Sequence, residues 1–164
     1  MVKNIVWTTV FILIASLIES ALLSRLTLNH AKPDLALGIL VYSAYANGTM
    51  TGQLTGFISG IFIDFLSRAP LGLNALVRVI IGAAGGLIRS SFFLGRVLLP
   101  MALCASATIL KALLIFLLHL LFEVPAYSLW DPRFWSELLL NTASAPFLFG
   151  FLQLFKPLLV RRGN

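Results

Sequence analysis

The chain has 164 residues, of which 59% are hydrophobic and 11% are charged, against about 25% charged in a typical soluble domain. A soluble protein of this size cannot hide so much apolar surface, so the composition excludes a soluble domain and indicates an integral membrane protein. The net charge of +6 does not indicate nucleic-acid binding, because the cations are spread over helix ends and loops without interleaved aromatic residues.

The first apolar stretch is predicted to be a retained membrane helix over residues 5–24. Lys3 precedes it, as in a secretory signal peptide, but the run is too long for a typical signal core and lacks a clean small-x-small cleavage site. About 20 apolar residues are needed to cross a bilayer core, so this run is long enough. A polar link follows, in which Pro33 or Asp34 starts the next helix.

Residues 35–63 carry no charge, and this stretch is long for one membrane helix and short for two. The turn dipeptide Asn47-Gly48 lies in its middle, so we predict two helices, at about 34–46 and 49–66. A single kinked helix over 34–66 is the alternative, because turn dipeptides also occur inside membrane helices.

Three further spans are predicted at about 72–88, 97–122 and 135–155. The segment before the last of them is rich in aromatic residues and suits the headgroup region. Six spans place both termini on one side, and the basic residues favour the cytoplasm for that side. The predicted fold is an all-α membrane protein: a compact bundle of six transmembrane helices in one domain over 1–164, with both termini cytoplasmic.

Small residues recur at every fourth position of the third predicted span, so they lie along one face of a helix. Glycine costs an exposed helix about 1 kcal/mol per position, whereas in lipid it allows backbones to pack closely. The fourth predicted span has a similar series. We predict helix-packing or partner-docking faces at Gly48, Gly52, Gly56 and Gly60 in one span and at Gly82 and Gly86 in the other.

A cluster of charged residues is predicted inside the membrane, because Glu19, Asp64, Arg78 and Lys111 all fall within predicted spans. Such groups are costly there unless they are paired or hydrated. Asp64 and Arg78 are equally distant from the break at Leu71, so an ion pair between them is the leading prediction. Glu19 is then a second partner for Arg78 or for Lys111, and Asn74 completes the cluster. These groups either hold the helices in register or line a polar pocket open to the outside.

No catalytic or metal-binding pattern accompanies this cluster. His30 and His119 have no carboxylate or cysteine at ligand spacing, and the single Cys104 excludes a disulfide or a zinc site within one chain. The serines have no histidine nearby in the sequence, so a hydrolase triad has no support. We expect no cofactor and no enzymatic activity, and an intramembrane enzyme is the weakest hypothesis.

Three motifs follow one another between residues 33 and 90. They are Pro33-Asp34-Leu35, then Gly52-x3-Gly56-Phe57-x2-Gly60-x3-Asp64, then Pro70-Leu71-Gly72-Leu73-Asn74-Ala75-Leu76. In their order and spacing they resemble the MreD family of rod-shape-determining proteins. The chain departs from that pattern at Ala46-Asn47-Gly48-Thr49, where MreD-like chains often carry basic residues. Outside these motifs the resemblance is one of composition.

The resemblance implies a non-enzymatic, multi-pass scaffold of the bacterial cell-elongation machinery in the cytoplasmic (inner) membrane. The implied partners are MreC, most directly, then MreB filaments, the RodA glycosyltransferase, a penicillin-binding transpeptidase and membrane lipids. One hypothesis is that the glycine series, or the exposed outer parts of spans three and four, docks a partner's helix. Gly56→Leu or Gly60→Leu is then expected to release MreC while the chain still inserts.

An alternative function belongs to another class of protein. Six-helix bundles of this size with a polar pocket in their outer half also describe the substrate-binding subunits of energy-coupling-factor vitamin transporters, to which MreD-like chains look similar in fold. The charged cluster would then line a vitamin site. The first span lacks a clear Ala-x-x-x-Ala coupling face and carries Ser16, Ser20 and Ser24 in its place. A stoichiometric co-purified vitamin would favour transport, and rounding of depleted cells would favour shape determination.

Overall fold

The computed structural model describes residues 2–21, 31–67, 70–88, 95, 97–122 and 131–160. Within these residues the chain forms seven helices and no β-strand. They are α1 (Val2–Ala21), α2 (Leu35–Asn47), α3 (Thr49–Leu66), α4 (Leu73–Leu87), α5 (Leu98–Phe122), α6 (Pro132–Leu154) and a short α7 (Lys156–Leu159). The six long helices follow the six predicted spans in order, and residues 35–66 form two helices rather than one.

Two of these helices, α1 and α5, are long and apolar enough to cross a membrane by length and composition. The apolar helices α2 and α4 are shorter, with 13 and 15 residues, or about 20 Å and 23 Å at 1.5 Å per residue. A hydrocarbon core is about 30 Å thick. The crossing of a membrane by all six helices therefore stays a prediction. Large apolar side chains are nevertheless exposed on every long helix except α2, as expected of helices that face lipid.

The joint between α2 and α3 is a single residue, Gly48. Its φ of 94° and ψ of 176° lie in a region that only glycine adopts readily. The Gly48 N–H still donates to the Ala44 carbonyl at 2.8 Å, so this carbonyl in the last turn of α2 keeps its hydrogen bond. The two helices turn sharply here because one residue without a side chain supplies the whole change of direction.

The helix α2 is the centre of the bundle. Its residues 36–44 are all buried, and it packs against α1, α3, α4, α5 and α6. The ring of Tyr42 meets that of Phe149 edge-on, with centroids 5.1 Å apart. A helix that is apolar on all sides is expected in such a central position.

The glycine series of α3 and α4 face each other and bring the two backbones into contact. A Cβ atom built on Gly52 would collide with the carbonyl of Gly82, one on Gly56 with the carbonyl of Arg78, and one on Gly60 with the backbone of Ala75. At the other end of α4, a Cβ on Gly86 would collide with the backbone beside Gly48. This face is therefore filled by a helix of the same chain. It leaves no room for a partner's helix, so a docking surface has to lie elsewhere.

The bundle has two polar ends. At one end, Asn47 Nδ2 donates to the Leu159 carbonyl at 2.8 Å, and Asn4 Nδ2 donates to Asn47 Oδ1 at 3.3 Å. Asn4 of α1 and Leu159 of α7 thus lie at the same end, which we call the Asn47 end. The opposite end, where α1, α3 and α5 finish and α2, α4 and α6 begin, is called the charged end.

Candidate functional site

The side chain of Asp34 is the centre of a charged cluster inside the bundle. Asp34 is the N-cap of α2, and its Oδ1 accepts the Leu37 N–H at 2.8 Å. Oδ1 also lies 3.4 Å from Arg78 Nη2 of α4, and Oδ2 lies 2.7 Å from Lys111 Nζ of α5. Because α2 is short, its first turn lies in the interior of the bundle, at the level of Arg78. Asp34 therefore joins three helices.

The cluster continues from α5 to α6 through two parallel contacts. Lys111 Nζ lies 2.7 Å from Glu137 Oε1, and Asn141 Nδ2 donates to Thr108 Oγ1 at 3.0 Å. Asn141 Oδ1 accepts the backbone N–H of Asp34 at 2.6 Å, which brings α6 to the start of α2. Lysine and threonine are one turn apart on α5, and so are glutamate and asparagine on α6.

The carboxylate of Glu19 reaches the same helix start from α1. Glu19 Oε1 accepts the Ala36 N–H at 2.9 Å, so two carboxylates satisfy amides in the first turn of α2. The N-terminus of a helix carries partial positive charge, and it stabilises anions placed there. Glu19 was predicted to pair with Arg78 or Lys111, but the bond that the structure gives it is to the backbone of α2.

The predicted ion pair between Asp64 and Arg78 is wrong. Asp64 Oδ2 accepts the Gly72 N–H at 2.9 Å, and Oδ1 accepts both the backbone N–H of Asn74 at 3.0 Å and its side-chain Nδ2 at 2.9 Å. Asp64 therefore caps the start of α4, whose N-cap Gly72 has a φ of 94°. Arg78 pairs with Asp34 instead.

The reason for this error is the register of α3 against α4. The contacts of Gly52 with Gly82, and of Gly56 with Arg78, are symmetric about residue 67. The prediction placed the centre of symmetry at Leu71, four residues later. Arg78 therefore lies level with Gly56, about two turns below Asp64.

Two members of the cluster, Asp34 and Glu137, were not among the predicted site residues. Asp34 was interpreted as a helix start, which it is, but its side chain also binds two cations. Glu137 lies within the predicted span 135–155, and Asn141 follows it at the spacing of one helical turn. That pair of polar residues on one helix face was the available signal for a partner of Lys111.

Two polar cavities of about 290 and 280 Å³ adjoin the cluster at the charged end, and both are lined by Glu19, Lys32 and Asp34. The first lies between α1, α3 and α4 and also contains Asn74 and Arg78. The second also contains Lys111, Arg133 and Glu137. The predicted site residues, charged cluster and glycines together, thus fall into three groups. Glu19, Arg78 and Lys111 surround Asp34, Asp64 forms a separate cap with Asn74, and the glycines lie beneath both.

The arrangement can do two things chemically. It ties α1, α2, α4, α5 and α6 to one another by ionic and hydrogen bonds, and it presents charged groups to two cavities. Over the described ranges, no group of three or more histidine, cysteine, aspartate or glutamate side chains is arranged to hold a metal ion.

Comparison with known proteins gives one finding that covers nearly the whole chain. The family model described as rod shape-determining protein MreD matches residues 1–155, which include all six long helices. No curated protein and no solved structure matches the chain. The matched region contains the capped α3–α4 pair and every residue of the charged cluster. The chain therefore belongs to the MreD family of membrane proteins, whose role is to determine rod shape.

Proposed function

We propose that this protein is a non-enzymatic scaffold of the bacterial cell-elongation machinery that binds MreC directly in the inner membrane. In this proposal the six long helices cross the membrane with both termini in the cytoplasm. Through the complex with MreC, the protein connects MreB filaments with RodA and a penicillin-binding transpeptidase. Membership of the MreD family supports the role in rod shape.

The observation that carries the MreC interaction is an apolar groove between α3 and α4, towards the charged end. It has a volume of about 540 Å³ and is lined mainly by Phe57, Ile61, Phe65, Leu71, Leu76 and Val79. The side chains of Phe57 and Leu76 are 51% and 48% exposed. An apolar groove of this kind suits a partner helix that inserts its side chains between two rigid neighbours. The groove is rigid because the glycine contacts beneath it join the two backbones.

The test is to co-purify MreC with the double variant Phe57→Ala/Leu76→Ala from native membranes. Both side chains are exposed, so their truncation leaves the α3–α4 contact intact, and we expect the recovery of MreC per molecule to fall several-fold. The control is Phe147→Ala on α6, where the side chain is 82% exposed and lies outside the groove. Equal recovery of MreC from the double variant and the control would exclude this groove as the docking site.

The variants Gly56→Leu and Gly60→Leu are not a test of docking. Each would force a side chain into the backbone of α4, so a loss of MreC would report on damage to the fold. The vitamin-transporter alternative has no support from the comparisons, and we do not propose it.

A further inference from the structure

The cavity between α1, α3 and α4 is lined by two cations whose donors are not all satisfied by the described residues. Four charged residues line it: Glu19, Lys32, Asp34 and Arg78. Both carboxylates have partners, since Glu19 accepts from the α2 backbone and Asp34 binds Arg78, Lys111 and the Leu37 amide. The cations are less well satisfied, so the cavity has unused capacity for an anion.

Arg78 is the deeper of these two cations. The residue is 6% exposed, and only its Nη2 reaches Asp34, at 3.4 Å. Its Nη1 is buried and has no hydrogen-bond partner in the part of the chain that the structure describes. A buried guanidinium nitrogen without an acceptor is unfavourable, and its planar group is suited to phosphate or carboxylate oxygens.

Lys32 is the second cation that lines the cavity. It precedes α2, its side chain is exposed, and it forms no ion pair with the described residues. Side-chain hydroxyl and amide groups of Ser16, Ser20, Ser67 and Asn74 complete the polar wall. Together these groups offer one exposed cation and one deeper cation in a polar wall, where the Ser16 hydroxyl donates to the Ile12 carbonyl and Asn74 Nδ2 donates to Asp64.

The remaining wall of the cavity is apolar and continuous with the lipid-facing surface. It consists of Leu17 of α1 with Ile63 and Leu66 of α3, and the two leucines are exposed large apolar residues. A ligand that fits both walls has an anionic polar part and an apolar part that leaves between α1 and α3. Membrane lipids with a negatively charged phosphate headgroup have this chemistry.

We propose that the cavity between α1, α3 and α4 binds the phosphate of an anionic membrane lipid, with Lys32 and Arg78 as its cationic ligands. The acyl chains follow Leu17 and Leu66 into the bilayer. Glu19 faces the same space and disfavours the anion, so it sets an upper limit on affinity. This site is separate from the groove proposed for MreC, and its test needs no partner protein.

The experiment measures lipid retention by native mass spectrometry on the purified full chain, supplied with equal amounts of phosphatidylglycerol and phosphatidylcholine. We expect wild type to retain the anionic lipid preferentially. Lys32→Gln is expected to lower that retention about fivefold, as for the loss of one cation beside an anionic headgroup. Glu19→Gln keeps an oxygen acceptor for Ala36 but removes the negative charge, and it is expected to raise retention.

Two controls separate this site from general adsorption and from a soluble anion. Lys156→Gln removes one exposed cation at the Asn47 end and is expected to leave retention unchanged. Inorganic phosphate added at millimolar concentration is expected to compete only weakly, because it lacks the apolar part. Equal retention of the two lipids, equal loss in Lys32→Gln and Lys156→Gln, or binding of inorganic phosphate without retained lipid would each overturn the proposal.

Discussion

The ammonium group of Lys111 lies 2.7 Å from Oδ2 of Asp34, although the two residues are 77 positions apart in the chain. The same nitrogen lies 2.7 Å from Oε1 of Glu137. One lysine of α5 is therefore shared by the start of α2 and the second turn of α6. In a bundle with an apolar exterior, this shared cation links α5 to both α2 and α6.

Replacement of Lys111 by methionine is expected to destabilise the protein. The substitution keeps the length of the side chain but leaves Glu137 without this cation, and removal of one partner from a buried ion pair costs about 3 kcal/mol. The measurement is the midpoint of thermal unfolding in detergent. The second change in Lys111→Met/Glu137→Leu removes the carboxylate that has lost this cation and is expected to recover part of the loss. Lys156→Met, at an exposed cation, is the control, and an equal shift in both single variants would contradict the prediction.

Double-mutant cycles are expected to distinguish the observed partner of Arg78 from the predicted one. The pair Asp34→Ala and Arg78→Leu removes a direct contact, so its coupling energy is expected to lie between about 0.5 and 3 kcal/mol. The pair Asp64→Ala and Arg78→Leu is expected to be additive within about 0.5 kcal/mol. Free energies of unfolding of the single and double variants provide both values. Strong coupling of Asp64 to Arg78 would show that the sequence-based pairing was right.

A single methyl group added to the α3–α4 contact is expected to cost stability. Alanine is intrinsically a better helix residue than glycine by about 1 kcal/mol, yet the methyl of Gly56→Ala would meet the backbone of Arg78. Forced separation of the two helices is expected to cost about 1 to 3 kcal/mol. In Gly150→Ala nothing lies within 4 Å of the new methyl, so this variant is expected to be neutral or stabilising. Unfolding midpoints that fall equally for both variants would contradict the close packing.

The Asn47 end is expected to loosen when its central amide is removed. Asn47→Ala deprives the Leu159 carbonyl of its side-chain donor and Asn4 of its acceptor. We expect faster hydrogen exchange at the Val160 amide, which donates to the Lys156 carbonyl at the end of α7, while exchange in α5 stays unchanged. Thr142→Ala is the control, because its hydroxyl bonds to the Leu138 carbonyl of its own helix. Unaltered exchange at Val160 in Asn47→Ala would mean that α7 is held by its apolar contacts.

The helix boundaries were predictable because they depend on local features. The dipeptide Asn47-Gly48 marked the joint between α2 and α3, and the break before α4 was marked by Pro70 and Gly72. The close packing of glycines was also predictable, since a row of glycines on one helix face in lipid lets a neighbouring backbone approach closely. The identity of the helix opposite them was not predictable, because the same row of glycines would accept either α4 or the helix of a partner protein.

The pairing of the charges was not predictable in the same way. The predicted pairing assumed that residues equally distant from Leu71 face each other. The contacts between α3 and α4 are instead centred on residue 67, four residues earlier. The carboxylate of Asp64 also accepts hydrogen bonds from the amides at the start of α4. The role of Asp34 depends on the shortness of α2, which places a helix start, with its unsatisfied amides, in the interior of the bundle.

The order and apolar character of the helices, the glycine contact face and the family were determined by the sequence itself, since each depends on composition or on residues close together in the chain. The tertiary structure alone decided that Asp34 is the hub of the charges, with Lys111, Glu137 and Arg78 around it. The physical reason is that two charged residues can pair only if their helices are neighbours and place them at the same level of the bundle. Both conditions follow from how the whole bundle packs.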